Sequence, residues 1–135
     1  MAYRIIDIEG IGEVYAEKLI AAGIKTDADL LKNAATRKQR TALAEKTGIT
    51  GALILKWANH ADLFRIRGIG PQYAELLEAA GVDTVKELAH RVPKNLVQKM
   101  AAINEEKNLT NGLISEKSVT KWIEQAKALP PVMTY

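Results

Sequence analysis

Two glycine-framed bends, Ile8-Glu9-Gly10-Ile11-Gly12 and Ile66-Arg67-Gly68-Ile69-Gly70, are the segments of this chain whose residue types and spacing suit ligand binding. Paired glycines permit a tight turn with little side-chain bulk, and the isoleucine between them can pin the turn to a core. A helix that opens directly afterwards leaves its first N–H groups without intrahelical acceptors. Such an end attracts anions, phosphate above all. The charges around the two turns differ. Asp7, Glu9 and Glu13 crowd the first, where repulsion of roughly 1 kcal/mol per exposed charge at contact range opposes phosphate. Arg65 and Arg67 flank the second, with no acid before Glu75. The second turn is therefore the stronger candidate. Backbone amides around Gly68, Ile69, Gly70 and Gln72 would meet phosphate, Arg65 and Arg67 would supply charge, and Gly10 and Gly12 form the weaker equivalent.

A second basic cluster, Arg37-Lys38-Gln39-Arg40, follows Thr36 at an expected helix start, where positive charge opposes the dipole. Arg37, Lys38 and Arg40 would extend an anion-binding surface. The bland alternative, an ordinary solvated face, is the commoner meaning of a charge run. His90-Arg91, Lys94 and Lys99 form the counterpart later in the chain. The two histidines, His60 and His90, have no carboxylate or histidine at ligand spacing and read as surface or half-buried residues, so no metal is expected. The chain has no cysteine, which excludes disulfides, iron–sulfur clusters and thiol nucleophiles. Ser115 and Ser118 lie outside any nucleophile turn, and neither Walker nor dinucleotide spacing occurs. The expectation is a protein that is not an enzyme.

The elements that would position these turns come from a duplication. Residues 8–31 and 66–89 align at a lag of 58 with 13 of 24 positions identical, against about two expected by chance. Lys56-Trp57 and Ala61 recur as Lys121-Trp122 and Ala126 at a lag of 65, which implies an insertion of seven residues in the second copy. In each copy the apolar residues after the second glycine fall at three-and-four spacing, the face of an amphipathic helix. Gly23 and Gly81 end that helix in the left-handed conformation. Thr26 and Thr84 each precede an acid by three residues, a pattern that opens the next helix near Asp27 or Val85. Further starts lie at Thr36, Thr50, Pro93 and Ser115, and Gly48 closes a helix over 37–47. The polar segment 104–112 is expected to be the inserted loop, and Pro130-Pro131 to stop the last helix before a frayed tail. No stretch alternates as a strand would. The fold class is all-α, with one unit over 1–62 and another over 63–135, packed through their apolar faces into one compact body. Tyr15 and Tyr73 are expected to pack against the duplicate rather than stack on a base, and Trp57 and Trp122 to seal the small cores.

At the glycine turns the chain resembles the helix-hairpin-helix family, whose pattern is an apolar residue, a spacer, Gly-apolar-Gly and a helix with a small residue four positions on, here Ala16 and Ala74. Over its whole length, including Leu63 to Gly70 and Trp122-Ile123-Glu124-Gln125-Ala126, it is similar to a bacterial family of tandem hairpins of unknown function, related to sterile-alpha-motif-like and DNA-polymerase-type hairpins. The resemblance implies a module that grips the DNA backbone without reading bases, sometimes with a monovalent cation held by the turn carbonyls. Family members commonly carry lysine or arginine just after the second glycine, where this chain has Glu13 and Pro71-Gln72.

The expected function is sequence-independent binding of double-stranded DNA. With about four phosphates neutralised, log affinity would fall against log salt with a slope near −4. A net charge of +3 does not by itself announce such a partner. The alternative is an adaptor of sterile-alpha-motif-like fold that recognises a protein partner or itself, and the oligomeric state stays open. No run of about eighteen apolar residues occurs, so no membrane partner is expected. The amino-terminal stretch lacks an export signal, which makes a cytoplasmic location the expectation.

Overall fold

Hydroxyl side chains set five of the helix starts. Thr26 Oγ1 accepts from the Asp29 N–H at 3.1 Å, Thr36 Oγ1 from Gln39 at 3.2 Å, Thr50 Oγ1 from Leu53 at 3.4 Å, Thr84 Oγ1 from Glu87 at 3.0 Å and Ser115 Oγ from Ser118 at 3.1 Å. At Thr26 and Thr36 the third residue returns the bond to the cap's own N–H, which satisfies two orphan donors at once. The computed structural model describes residues 3–112 and 114–135; Met1 and Ala2, part of the stretch read for an export signal, lie outside them. Its helices are α1 (Gly12–Ala21), α2 (Asp27–Asn33), α3 (Arg37–Thr47), α4 (Gly51–Leu63), α5 (Pro71–Ala79), α6 (Val85–Ala89), α7 (Pro93–Lys107) and α8 (Glu116–Ala128). A 3-10 turn at Ile5–Asp7 precedes them, and among the described residues no strand forms beyond one isolated bridge between Arg4 and Thr26. The protein is all-α.

The chain folds as two compact units, Met1–Asp62 with Pro131–Tyr135, and Leu63–Pro130. In the first, the 3-10 turn packs on α1 and α2 on α3, around buried Ile5, Ile8, Leu19, Leu30, Ile54 and Trp57. In the second, α8 packs on α6 and α7, and α5 on α7, around Ile66, Leu76, Leu77, Leu88, Met100 and Trp122. Gly23 and Gly81 both have φ of 89° and Gly48 has 74°, so each occupies the left-handed region at a helix end.

Three expectations are corrected. The tail after Pro131 is not frayed. Met133 is buried, the Thr134 N–H donates to the Ala35 carbonyl at 2.8 Å, and the Tyr135 hydroxyl lies 2.7 Å from Asn59 Oδ1. Segment 104–112 is not wholly loop: α7 continues through Lys107 because Glu105-Glu106-Lys107 are good helix formers, and Asn108 closes it at φ 51°. Asn104 then brackets Thr110, donating to its carbonyl at 3.1 Å and accepting from its N–H at 2.9 Å. His60 is fully buried near the end of α4, together with Asn59 and Asp62, not surface or half-buried.

Candidate functional site

Each glycine turn is built on the same pair of backbone bonds. The Ile8 and Ile11 amides donate to the Ile5 and Ile8 carbonyls, both at 3.3 Å, and the Ile66 and Ile69 amides to the Leu63 and Ile66 carbonyls at 3.1 and 3.2 Å. Ile11 and Ile69 are buried, at 1% and 3% exposure, and anchor their turns in the core. Gly10 and Gly68 take φ of 89° and 97°, a region that strains any residue with a Cβ. The copies part at the last glycine. Gly12, where α1 begins, is left-handed at φ 64°, whereas Gly70 is extended, at φ −110° and ψ −168°, as the residue before a proline must be.

A tryptophan from the last helix of each unit backs its turn. Tyr15 meets Trp57 and Tyr73 meets Trp122, both with ring centroids 5.1 Å apart and planes near 60°. Each tyrosine thus packs on the indole of its own unit. A Cβ at Gly68 would lie 2.7 Å from Trp122 Nε1 and 3.6 Å from both Cδ1 and Cε2. A point over the ring face would be nearer those two carbons, so the indole directs its N–H edge at Gly68. The same contact at Gly10 is a comfortable 3.6 Å from Trp57 Nε1.

Around the second turn, α8 lines an open groove of about 640 Å³ with Ser118, Lys121, Trp122, Glu124 and Gln125 facing Arg67 and Gly68. Gln125 fixes the wall. Its Oε1 accepts from the Arg67 N–H at 2.9 Å and its Nε2 donates to the Arg67 carbonyl at 3.3 Å. Two turn amides, those of Arg67 and Ile69, are therefore consumed by protein acceptors, which removes the Ile69 amide from the expected phosphate contacts. The N–H groups of Gly70, Gln72 and Tyr73, at the start of α5, have no acceptor among the described residues. No acid occurs in the first turn of α5, while Glu13 sits in that of α1.

The expected basic residues separate. Arg67 is exposed, and so are Arg37 and Lys38. Arg65 is half-buried, with its guanidinium donating to the Pro130 carbonyl at 2.7 Å. Arg40 is a structural residue: only 6% exposed, it donates to the carbonyls of Ala34, Ala35 and Thr134 at 2.9, 3.1 and 2.7 Å, and lies 5.7 Å from the Tyr135 ring centre. Burial lowers its guanidinium below the ordinary value. Lys121 is not among the residues the sequence singles out for binding, although Lys56-Trp57 and Lys121-Trp122 recur; its position in the groove follows from the indole that backs the turn.

Elsewhere in the second unit, Arg91 donates to the Gly81 carbonyl at 3.0 Å and lies 3.8 Å from Glu87. A side-chain hydrogen bond with Asp83 raises the Glu87 carboxyl above its usual range. No three His, Asp or Glu side chains gather as a metal-binding group among the described residues, and no described helix is long and apolar enough to cross a membrane.

Neither the search of curated proteins nor that of solved structures gave a match to the chain. Residues 9–129, which span both glycine turns and the α8 wall of the groove, match a family described as a domain of unknown function. The chain belongs to that family, DUF4332.

Proposed function

We propose that this chain is a non-enzymatic protein that binds the phosphodiester backbone of double-stranded DNA without reading base sequence, using the helix-hairpin-helix turn of its second unit. The observation that supports it is the conjunction at that turn of unused donors and exposed cations. The Gly70, Gln72 and Tyr73 amides open α5 with no acid in its first turn, and Arg67 and Lys121, which line the groove at Gly68, form no ion pair among the described residues. Amides at a helix start orient on phosphate oxygens, and exposed cations release counterions from the duplex. The turn is held rigid by Ile69 below and Gln125 beside it, so little ordering is needed on binding.

The test is an electrophoretic mobility series with one short duplex across a range of salt concentrations. Two phosphates neutralised by Arg67 and Lys121 give a slope of about −2 in log affinity against log salt. Arg67→Glu with Lys121→Glu is expected to abolish the retarded band while leaving the helical circular dichroism unchanged. Binding that persists in that double variant, or a salt-independent affinity, overturns the assignment.

A further inference from the structure

The two glycine turns share the same pair of backbone bonds but differ in charge. Glu9 in the first corresponds to Arg67 in the second at the lag of the duplication. Asp7 is already bonded to Arg4 at 3.3 Å, and Arg65 to the Pro130 carbonyl, so neither carries the contrast. It rests on Glu9 and Glu13 at the first turn and on Arg67 at the second; Lys121 adds a cation beside Arg67 but has an exposed equivalent, Lys56, in the first copy. Glu9, Glu13, Arg67 and Lys121 form no ion pair among the described residues. Glu13, Arg67 and Lys121 are exposed and Glu9 is half-buried. Exposed apolar side chains flank the acidic pair: Val14, next to Glu13, is 67% exposed, and Ile6, in the 3-10 turn against α1, is 38% exposed. An apolar centre with a charged rim is the usual make-up of a docking patch. The groove at the second turn offers the reciprocal charge, with the two cations Arg67 and Lys121 against one acid, Glu124.

We infer that the groove beside Arg67 and Lys121 receives the Glu9–Val14 turn of a second copy of this chain, giving head-to-tail association. Such a contact joins two different surfaces. It leaves one turn of each kind free at the ends, and therefore builds open chains or rings rather than stopping at a symmetric pair. The attraction is between exposed groups, so it is screened over a distance of about 10 Å at 0.1 M salt. This inference does not rest on DNA binding, and it is tested without nucleic acid.

Sedimentation of the nucleic-acid-free full chain at low salt is expected to show a mean mass that rises with concentration beyond twice that of one chain, and falls back to one chain at 0.5 M salt. Two charge-reversed forms isolate the contact. Glu9→Arg with Glu13→Arg makes both turns basic, and Arg67→Glu with Lys121→Glu makes both acidic. Each alone is expected to remain a single chain, and an equimolar mixture to regain association, which also shows that both forms are folded. The neutral forms Glu9→Gln/Glu13→Gln and Arg67→Gln/Lys121→Gln are each expected to lose self-association and, when mixed, to form a one-to-one pair and no longer chain, because each supplies the native surface that the other lacks. A wild-type chain that stays single at low salt overturns the inference. So does a reversed pair that stays single when mixed, or an association that 0.5 M salt does not weaken.

Discussion

Single atoms decide how much each glycine matters. At Gly10 an added methyl group meets nothing closer than 3.6 Å, so Gly10→Ala is expected to cost only the left-handed backbone penalty, about 1–2 kcal/mol. At Gly68 the methyl would strike the buried Trp122 indole at 2.7 Å, which adds overpacking of about 1–3 kcal/mol. Urea unfolding of the two variants should rank them in that order; equal losses would mean that the indole yields. Asp29 gives a separate test. Its carboxylate accepts from the Lys25 and Thr26 amides, and the bond from Lys25 leads in holding its pKa below 3.8. Because the folded value is depressed, the stabilisation is present above the unfolded value of 3.8 and is lost as pH falls through the folded one. Wild type and Asp29→Asn should therefore differ in stability at neutral pH and converge in acid, as read from unfolding midpoints across pH. Glu87 has the opposite sign: its raised pKa favours folding at low pH, and that contribution fades as pH rises through the folded value.

Among the elements, the carboxy-terminal segment is the one that departs most from its sequence. Residues 132–135 carry no periodicity and follow two prolines, which reads as a loose end. They are instead held by Arg40, whose guanidinium joins the start of α3 to the Thr134 carbonyl across 94 residues. Hydrogen bonds from a charged donor to otherwise buried carbonyls contribute about 1.5–3 kcal/mol, so Arg40→Ala is expected to destabilise the first unit by roughly that amount. Hydrogen exchange should show the loss at the Thr134 amide, which donates the 2.8 Å bond to the Ala35 carbonyl, and unchanged protection there would contradict the assignment. The helix starts behave locally. Thr84→Ala removes the acceptor for the Glu87 amide and is expected to cost about 1 kcal/mol, most visibly as fraying of the five-residue α6.

At the scale of the whole molecule, duplex DNA and a second copy would compete for Arg67 and Lys121. Adding a short duplex at low salt is expected to replace chain–chain species by chain–duplex ones in sedimentation, and a mixed species retaining both would show separate sites. The repeat, the helical class and most helix ends are legible in the residues alone, because capping hydroxyls, left-handed glycines and apolar spacing act within three or four positions of where they stand. Thr36, Gly48 and Ser115 each do what their neighbours imply. The candidate site is legible in its glycines and in Arg67, but not in its wall. Gln125 grips the Arg67 backbone across 58 residues, Trp122 directs its N–H at Gly68, and Arg40 turns inward to a tail 94 residues away. Local propensity carries no information about such partners. They are chosen by how the apolar faces of the helices come together, and that packing alone settles which polar groups are spent inside the protein and which remain for a ligand.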